Sequence, residues 1–142
     1  MTRWQPDVAA LRDLAEALTQ AFPDDVVATS LVRDELTVEI ARDAVRRVLQ
    51  WLRDEPSASF QELVDVCGVD WPMREPRFDV VYHLLSLKHN QRVRVKLATD
   101  EDTPVPSVQG LFATAGWFER ETWDMYGVLF ADHDDLRRLL TD

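Results

Sequence analysis

Apolar residues change period several times along the chain, and each change marks an element. After Pro6, the residues Val8, Leu11, Ala15, Leu18 and Phe22 recur three and four apart, which places them on one face of a helix. Pro23-Asp24-Asp25 ends that helix. VVATSLV and LTVEI then flank Arg33-Asp34-Glu35, and Leu36, Val38 and Ile40 alternate with Thr37 and Glu39 as in a half-buried strand, so this segment predicts a hairpin. Helical spacing returns in DAVRRVLQWLRD, where Ala44, Val45, Val48, Leu49 and Leu52 form an apolar face that Pro56 terminates.

Ser59-Phe60-Gln61-Glu62 has the form of a capping box and predicts a short helix, followed in LVDVCGVDW by a strand or extended link. FDVVYHLLSL and RVRVKLA, on either side of Lys88-His89-Asn90-Gln91, predict a second hairpin. Its first arm is apolar on both faces and so belongs inside the sheet. Pro104 and Pro106 introduce a last helical region, from about Ser107 to Tyr126, interrupted near Gly116 and capped by Gly127. Helices interleaved with paired strands predict an α+β fold, a two-layer sandwich whose mixed, mostly antiparallel sheet carries its helices on one face.

Length and composition narrow the function classes. At 142 residues the chain suits a single domain, 1–142, and shows no internal repeat or linker. A single cysteine, Cys67, excludes an intrachain disulfide and leaves a Cys-ligated iron–sulfur cluster without most of its thiolates. The glycines, at 68, 110, 116 and 127, form no dinucleotide or phosphate loop. A formal charge of -10 repels a phosphate backbone and argues against nucleic acid as a ligand. MTRWQPDVAALRDL has neither the apolar core nor the cleavage site of a signal peptide, and no apolar run approaches the ~20 residues that span a bilayer, which predicts a soluble chain not secreted by that route.

The densest chemistry lies in WFERETWDMYG, Trp117–Gly127. Trp117, Glu121 and Asp124 share one helical face, while Phe118, Thr122 and Met125 form a neighbouring stripe. With Phe118 and Met125 turned to the core, the two acids lie on the helix shoulder and need cations or solvent nearby. Arg120 can pair with Asp124 one turn away, and we expect Arg137 or Arg138 to fold back on Glu121 or Asp124 as a clamp. The catalytic alternative, a stand-alone hydrolase with one acid as proton donor and the other as base, needs a nucleophile, metal or substrate loop, of which the sequence offers little.

Asp132-His133-Asp134-Asp135 offers adjacent metal donors, but neighbours in an extended run point apart, so the expected role is a turn that caps LRRLL. Arg92, Arg94 and Lys96 alternate with Val93, Val95 and Leu97, which puts cations on one sheet face as a candidate docking stripe for an acidic partner or anionic lipid. His83 reads as a packed strand residue, His89 as a turn residue and Cys67 as a small buried hydrophobe. No catalytic, cofactor-binding or metal residue is assigned.

ERETWDMYGVLFADHDDLRRLLTD, from Glu119 to Asp142, closely resembles the signature of the 30 kDa peripheral-arm subunit family of respiratory complex I, the proton-translocating NADH:quinone oxidoreductase. FQELVDVCGVDWP, RFDVVYHLLSLKHNQRVRVK and TDEDTPVPSV resemble the preceding blocks of that family. Glu119, Arg120, Glu121, Asp124, Met125, Gly127, His133, Leu136, Arg137 and Arg138 sit on the signature, whereas Asp134 replaces its usual proline. The resemblance implies a non-catalytic peripheral-arm subunit that holds neither flavin nor cluster, FMN and iron–sulfur clusters residing in partner subunits. It also implies packing on the neighbouring peripheral-arm subunit that helps form the quinone site, and a peripheral place on the cytoplasmic side of the inner membrane. No small-molecule ligand is expected. Members usually continue past LTD into an extension along the partner, so the stop at Asp142 is expected to leave the domain without it. The equivalent subunit of a membrane-bound hydrogenase-type complex is the nearest alternative, and a free-standing binding module that uses the basic strand is a third.

Overall fold

The structure, a computed structural model, describes residues 7–132. It contains α1 (Val8–Ala21), β1 (Val26–Val32), β2 (Glu35–Ile40), a 3-10 turn (Arg42–Ala44) leading into α2 (Val45–Asp54), β3 (Glu62–Asp70), β4 (Phe78–Ser86), β5 (Gln91–Thr99), β6 (Val105–Pro106), α3 (Ala115–Tyr126) and β7 (Phe130–Ala131). Five strands form one sheet in the order β1-β2-β5-β4-β3, antiparallel except for the β2·β5 pair. The α+β sandwich expected from the pattern is the fold observed.

Strand alternation puts Leu36, Val38 and Ile40 of β2, Val93, Val95 and Leu97 of β5, and Val80, Tyr82 and Leu84 of β4 on one face, all buried. Helices cover that face: α1 contributes Leu11, Leu14 and Leu18, and α2 contributes Val45, Val48, Leu49 and Leu52. Asp7 caps α1, its carboxylate accepting from the Ala10 N–H. β4 lies between β5 and β3, an interior position in keeping with its apolar composition. Among the described residues the other sheet face carries no helix, and it holds Thr37, Glu39, Arg92, Arg94, Lys96 and His83, at positions between those of the core residues.

Two local expectations are corrected. Residues 59–62 form no helix: Ser59 adopts φ 53°, its hydroxyl donates to the Pro56 carbonyl, and Glu62 opens β3 opposite Leu85. The serine serves a tight turn and not a helix N-terminus. Nor does the last helix start at Ser107. Val105–Pro106 pairs in parallel with Phe130–Ala131, residues 107–114 cross as a strap, and α3 begins at Ala115, so Gly116 lies in its first turn. Gly127 ends α3 at φ 76°, a conformation that favours glycine, and its N–H donates to the Trp123 carbonyl.

Candidate functional site

The signature helix α3 buries Ala115, Glu119 and Thr122, spaced four and three apart. Glu119 is the acid that enters the core, with no exposed surface. Its Oε1 accepts from the Ser107 hydroxyl at 2.6 Å and its Oε2 from the Val108 N–H at 2.8 Å. From the opposite side, α2 holds the same strap by its carbonyls: Arg46 Nη1 donates to Ser107 O at 2.9 Å and Gln109 O at 3.0 Å, and Arg53 Nη1 donates to Leu111 O at 3.0 Å. The strap is therefore pinned between two helices, donating to a buried carboxylate and accepting from guanidiniums, both charge-assisted arrangements.

α3 is seated on β3 at its start by the Thr114 hydroxyl, which donates to Leu63 O at 2.9 Å, while the Thr122 hydroxyl donates to Phe118 O one turn back at 2.9 Å and lies 3.4 Å from Val66 O of β3. Gly68 permits a close approach here, because a Cβ at that position would lie 2.5 Å from a ring carbon of Tyr126. Tyr82 lies deep in the same layer, where burial and the charge of Glu119 together push its hydroxyl pKa well above the usual value.

The expected clamp acids stand elsewhere. Glu121 and Asp124 are exposed, and Asp124 faces Arg120 at 4.0 Å as a surface pair. Phe118 packs against the core but Met125 does not; Met125 is 71% exposed and Trp117 65%. Of the stripe Phe118, Thr122 and Met125, the first two turn inward as expected and Met125 is corrected to the surface; Ala115 and Glu119 complete the inward side. His133, Arg137 and Arg138, and with them the expected fold-back onto Glu121 or Asp124 and the Asp134 turn, lie outside the described residues.

On the open sheet face the basic stripe of β5 meets acids of β2. Arg94 donates to Glu35 at 2.9 Å, and Lys96 stands opposite Glu39, while Arg92 is exposed near the strand's start. A cleft of about 390 Å³ opens there, lined in part by Glu35, Asp65, His83, Arg92 and Arg94. Cys67 is not the buried hydrophobe expected: it is half-buried and donates its thiol to Asp65 at 2.8 Å. Burial first, then Asp65, pushes its pKa up to about 11. Burial also holds the His83 imidazole below its usual value. Donor atoms of Asp65, Cys67 and His83 lie within 4.8 Å of one another, a set of types that can ligate a divalent ion. The protonated thiol is instead satisfied by its neighbouring carboxylate.

Pairwise register explains that cluster, since Asp65 faces His83 across β3 and β4 and Cys67 follows two residues on. Sequence reasoning missed Glu119's partner Ser107 and the two arginines, Arg46 and Arg53, that hold the strap from α2. The available signal was the pair of small residues, Ala115 and Thr122, one turn on either side of Glu119.

Comparison with known proteins bears on this arrangement. The family model of the 30 kDa subunit of respiratory-chain NADH dehydrogenase matches residues 38–142. The NADH-quinone oxidoreductase C subunit of Paramagnetospirillum magneticum is 63% identical over 94% of this chain and 67% of its own. That of Rhodospirillum rubrum is 53% identical over 95% of this chain and 63% of its own. The chain thus spans about two thirds of the length of these curated relatives. A chain in the solved structure of a membrane-bound sulfane sulfur reductase, an archaeal respiratory membrane complex, shares the fold with a TM-score of 0.72 at 23% identity, over 86% of this chain and 71% of that one. With the signature helix, the strap it pins and the extent of the family match in agreement, the chain belongs to the 30 kDa subunit family of respiratory-chain NADH dehydrogenase, also called NADH-quinone oxidoreductase.

Proposed function

We propose that this chain is a non-catalytic structural and assembly subunit of the peripheral arm of NADH:quinone oxidoreductase, docking on the neighbouring quinone-site subunit. The reading places it at the cytoplasmic side of the inner membrane, held there by partner subunits, with FMN and iron–sulfur clusters in those partners and none in this chain. No helix among the described residues is long and apolar enough to cross a membrane. The observation that carries the proposal is the division of labour on α3. Its inner side is spent on the strap through Glu119, while its outer side shows solvent Trp117 and Met125 beside Glu121 and Asp124. Exposed large apolar groups beside charges suit a protein partner. The hydrolase alternative requires an enclosed pair of acids with pKa values driven apart, whereas Asp124 has a side chain 56% exposed.

Gene replacement with two sets of variants tests this. Arg92→Gln, Arg94→Gln and Lys96→Gln together should lower the yield of assembled complex, while the stability of the chain falls by under about 1 kcal/mol, because exposed ion pairs contribute little to folding. Glutamine is preferable to glutamate, which would set like charges against Glu35 and Glu39. Glu121→Gln with Asp124→Asn should leave NADH:quinone turnover per assembled complex unchanged. Loss of turnover in fully assembled complex would overturn the non-catalytic reading.

A further inference from the structure

The two edges of the sheet are built differently. β3, at one end, carries Glu62, Asp65 and Asp70, has a register shift between Leu63 and Asp65, and is overlaid by α3, with the Thr114 hydroxyl just before that helix bonded to the Leu63 carbonyl. Charge, irregularity and cover are the usual means by which an edge strand is kept from pairing with another chain. β1, at the other end, is VVATSLV: no charge, no proline, and a register shift only near its start, between Val26 and Ala28. Among the described residues it pairs with β2 alone, and no backbone hydrogen bond outside that ladder involves Val27–Val32. Alternate N–H and C=O groups of this strand therefore point away from the sheet. Val27 is 65% exposed and Val32 59%.

We propose that β1 is a strand-addition site, on which an extended segment of another subunit of the complex pairs to make the sheet six-stranded. The inference rests on the assembly reading above. A row of alternating backbone donors and acceptors is complemented by one chemistry, another extended polypeptide, with side chains on alternate positions supplying specificity. The surface beside the edge states what those side chains are. On the helix side a cleft of about 690 Å³ runs between α1 and β1, lined by Arg12, Asp13, Glu16, Thr19, Thr29 and Leu31. Residues of the incoming strand that face α1 are therefore polar and of either charge. Those on the opposite face lie next to Ala28, Ser30 and Val32, and are small or apolar.

Residue-resolved hydrogen exchange on the intact complex tests the proposal, with an internal control. From Thr29 to Val32 the register is regular, so successive amides alternate between the β2 ladder and the outer edge. If a strand is added, both sets exchange within about tenfold of each other; if β1 is an edge in the complex, the outer set exchanges roughly a hundredfold faster. A second arm uses Val27→Lys with Thr29→Lys, both at exposed positions, which should reduce the assembled complex about tenfold by charging the edge. Fast outer amides together with normal assembly of the lysine variant overturn the inference and leave the assembly reading standing. Protection accompanied by cross-links from β1 to β1 of a second copy overturns the choice of partner. Failure of the wild-type chain to join any complex overturns the assembly reading, and the inference with it.

Discussion

Glu119→Ala is expected to lower the unfolding free energy by roughly 3–5 kcal/mol, since removing a buried charged acceptor strands the donors that faced it. The Ser107 hydroxyl and the Val108 N–H both lose their acceptor in a place without solvent, and the strap loses its hold on α3. Glu121→Ala, two positions along the same helix, should change stability by under about 0.5 kcal/mol because its side chain is exposed. Denaturant melts of the two variants decide which acid is structural. The coupling of Glu119→Ala with Ser107→Ala should reach about 1 kcal/mol or more, as expected of groups in direct contact. Equal, small effects for both acids would mean that the buried contact is not what holds the strap.

The second large effect is expected at Gly68. A valine there would drive its Cβ to within 2.5 Å of Tyr126 Cδ2 and 2.7 Å of Cε2, and that ring also packs edge-on to Phe78 with centroids 6.5 Å apart. Overfilling a packed contact typically costs about 1–3 kcal/mol, and the upper end applies where a whole helix has to lift. Because the obstacle is one ring, Tyr126→Ala should recover part of the loss: Gly68→Val measured in that background is expected to cost at least about 1 kcal/mol less than in the wild type. Additive losses would place the strain in the β3 backbone instead of the β3–α3 contact.

These two positions also show where a single sequence is legible. The first two helices, both hairpins and the Gly127 terminus follow from spacing and turn residues, because each is decided by neighbours a few residues apart. The capping-box reading at Ser59 failed because the same residue pattern can close a turn after Pro56, and the ladder of Glu62 with Leu85 overrode local preference. Glu119 was recognised as part of a signature but not as the buried acid. Its donors come from a strap eleven and twelve residues upstream, and no local period reports a contact of that kind. The same limit hid the parallel β2·β5 pair, which requires α2, β3 and β4 to be placed first.

The interior of the signature helix is thus accounted for by folding, and its exterior is the surface that the proposed role assigns to a partner. The most direct measurement is affinity purification of the tagged full-length chain from native membranes in mild detergent, with the bound chains identified and quantified by mass spectrometry. The account predicts recovery of the quinone-site subunit in equimolar amount, together with the flavin- and cluster-bearing subunits of NADH:quinone oxidoreductase. Recovery of the chain alone, or with the subunits of a hydrogenase-type complex in their place, would contradict it.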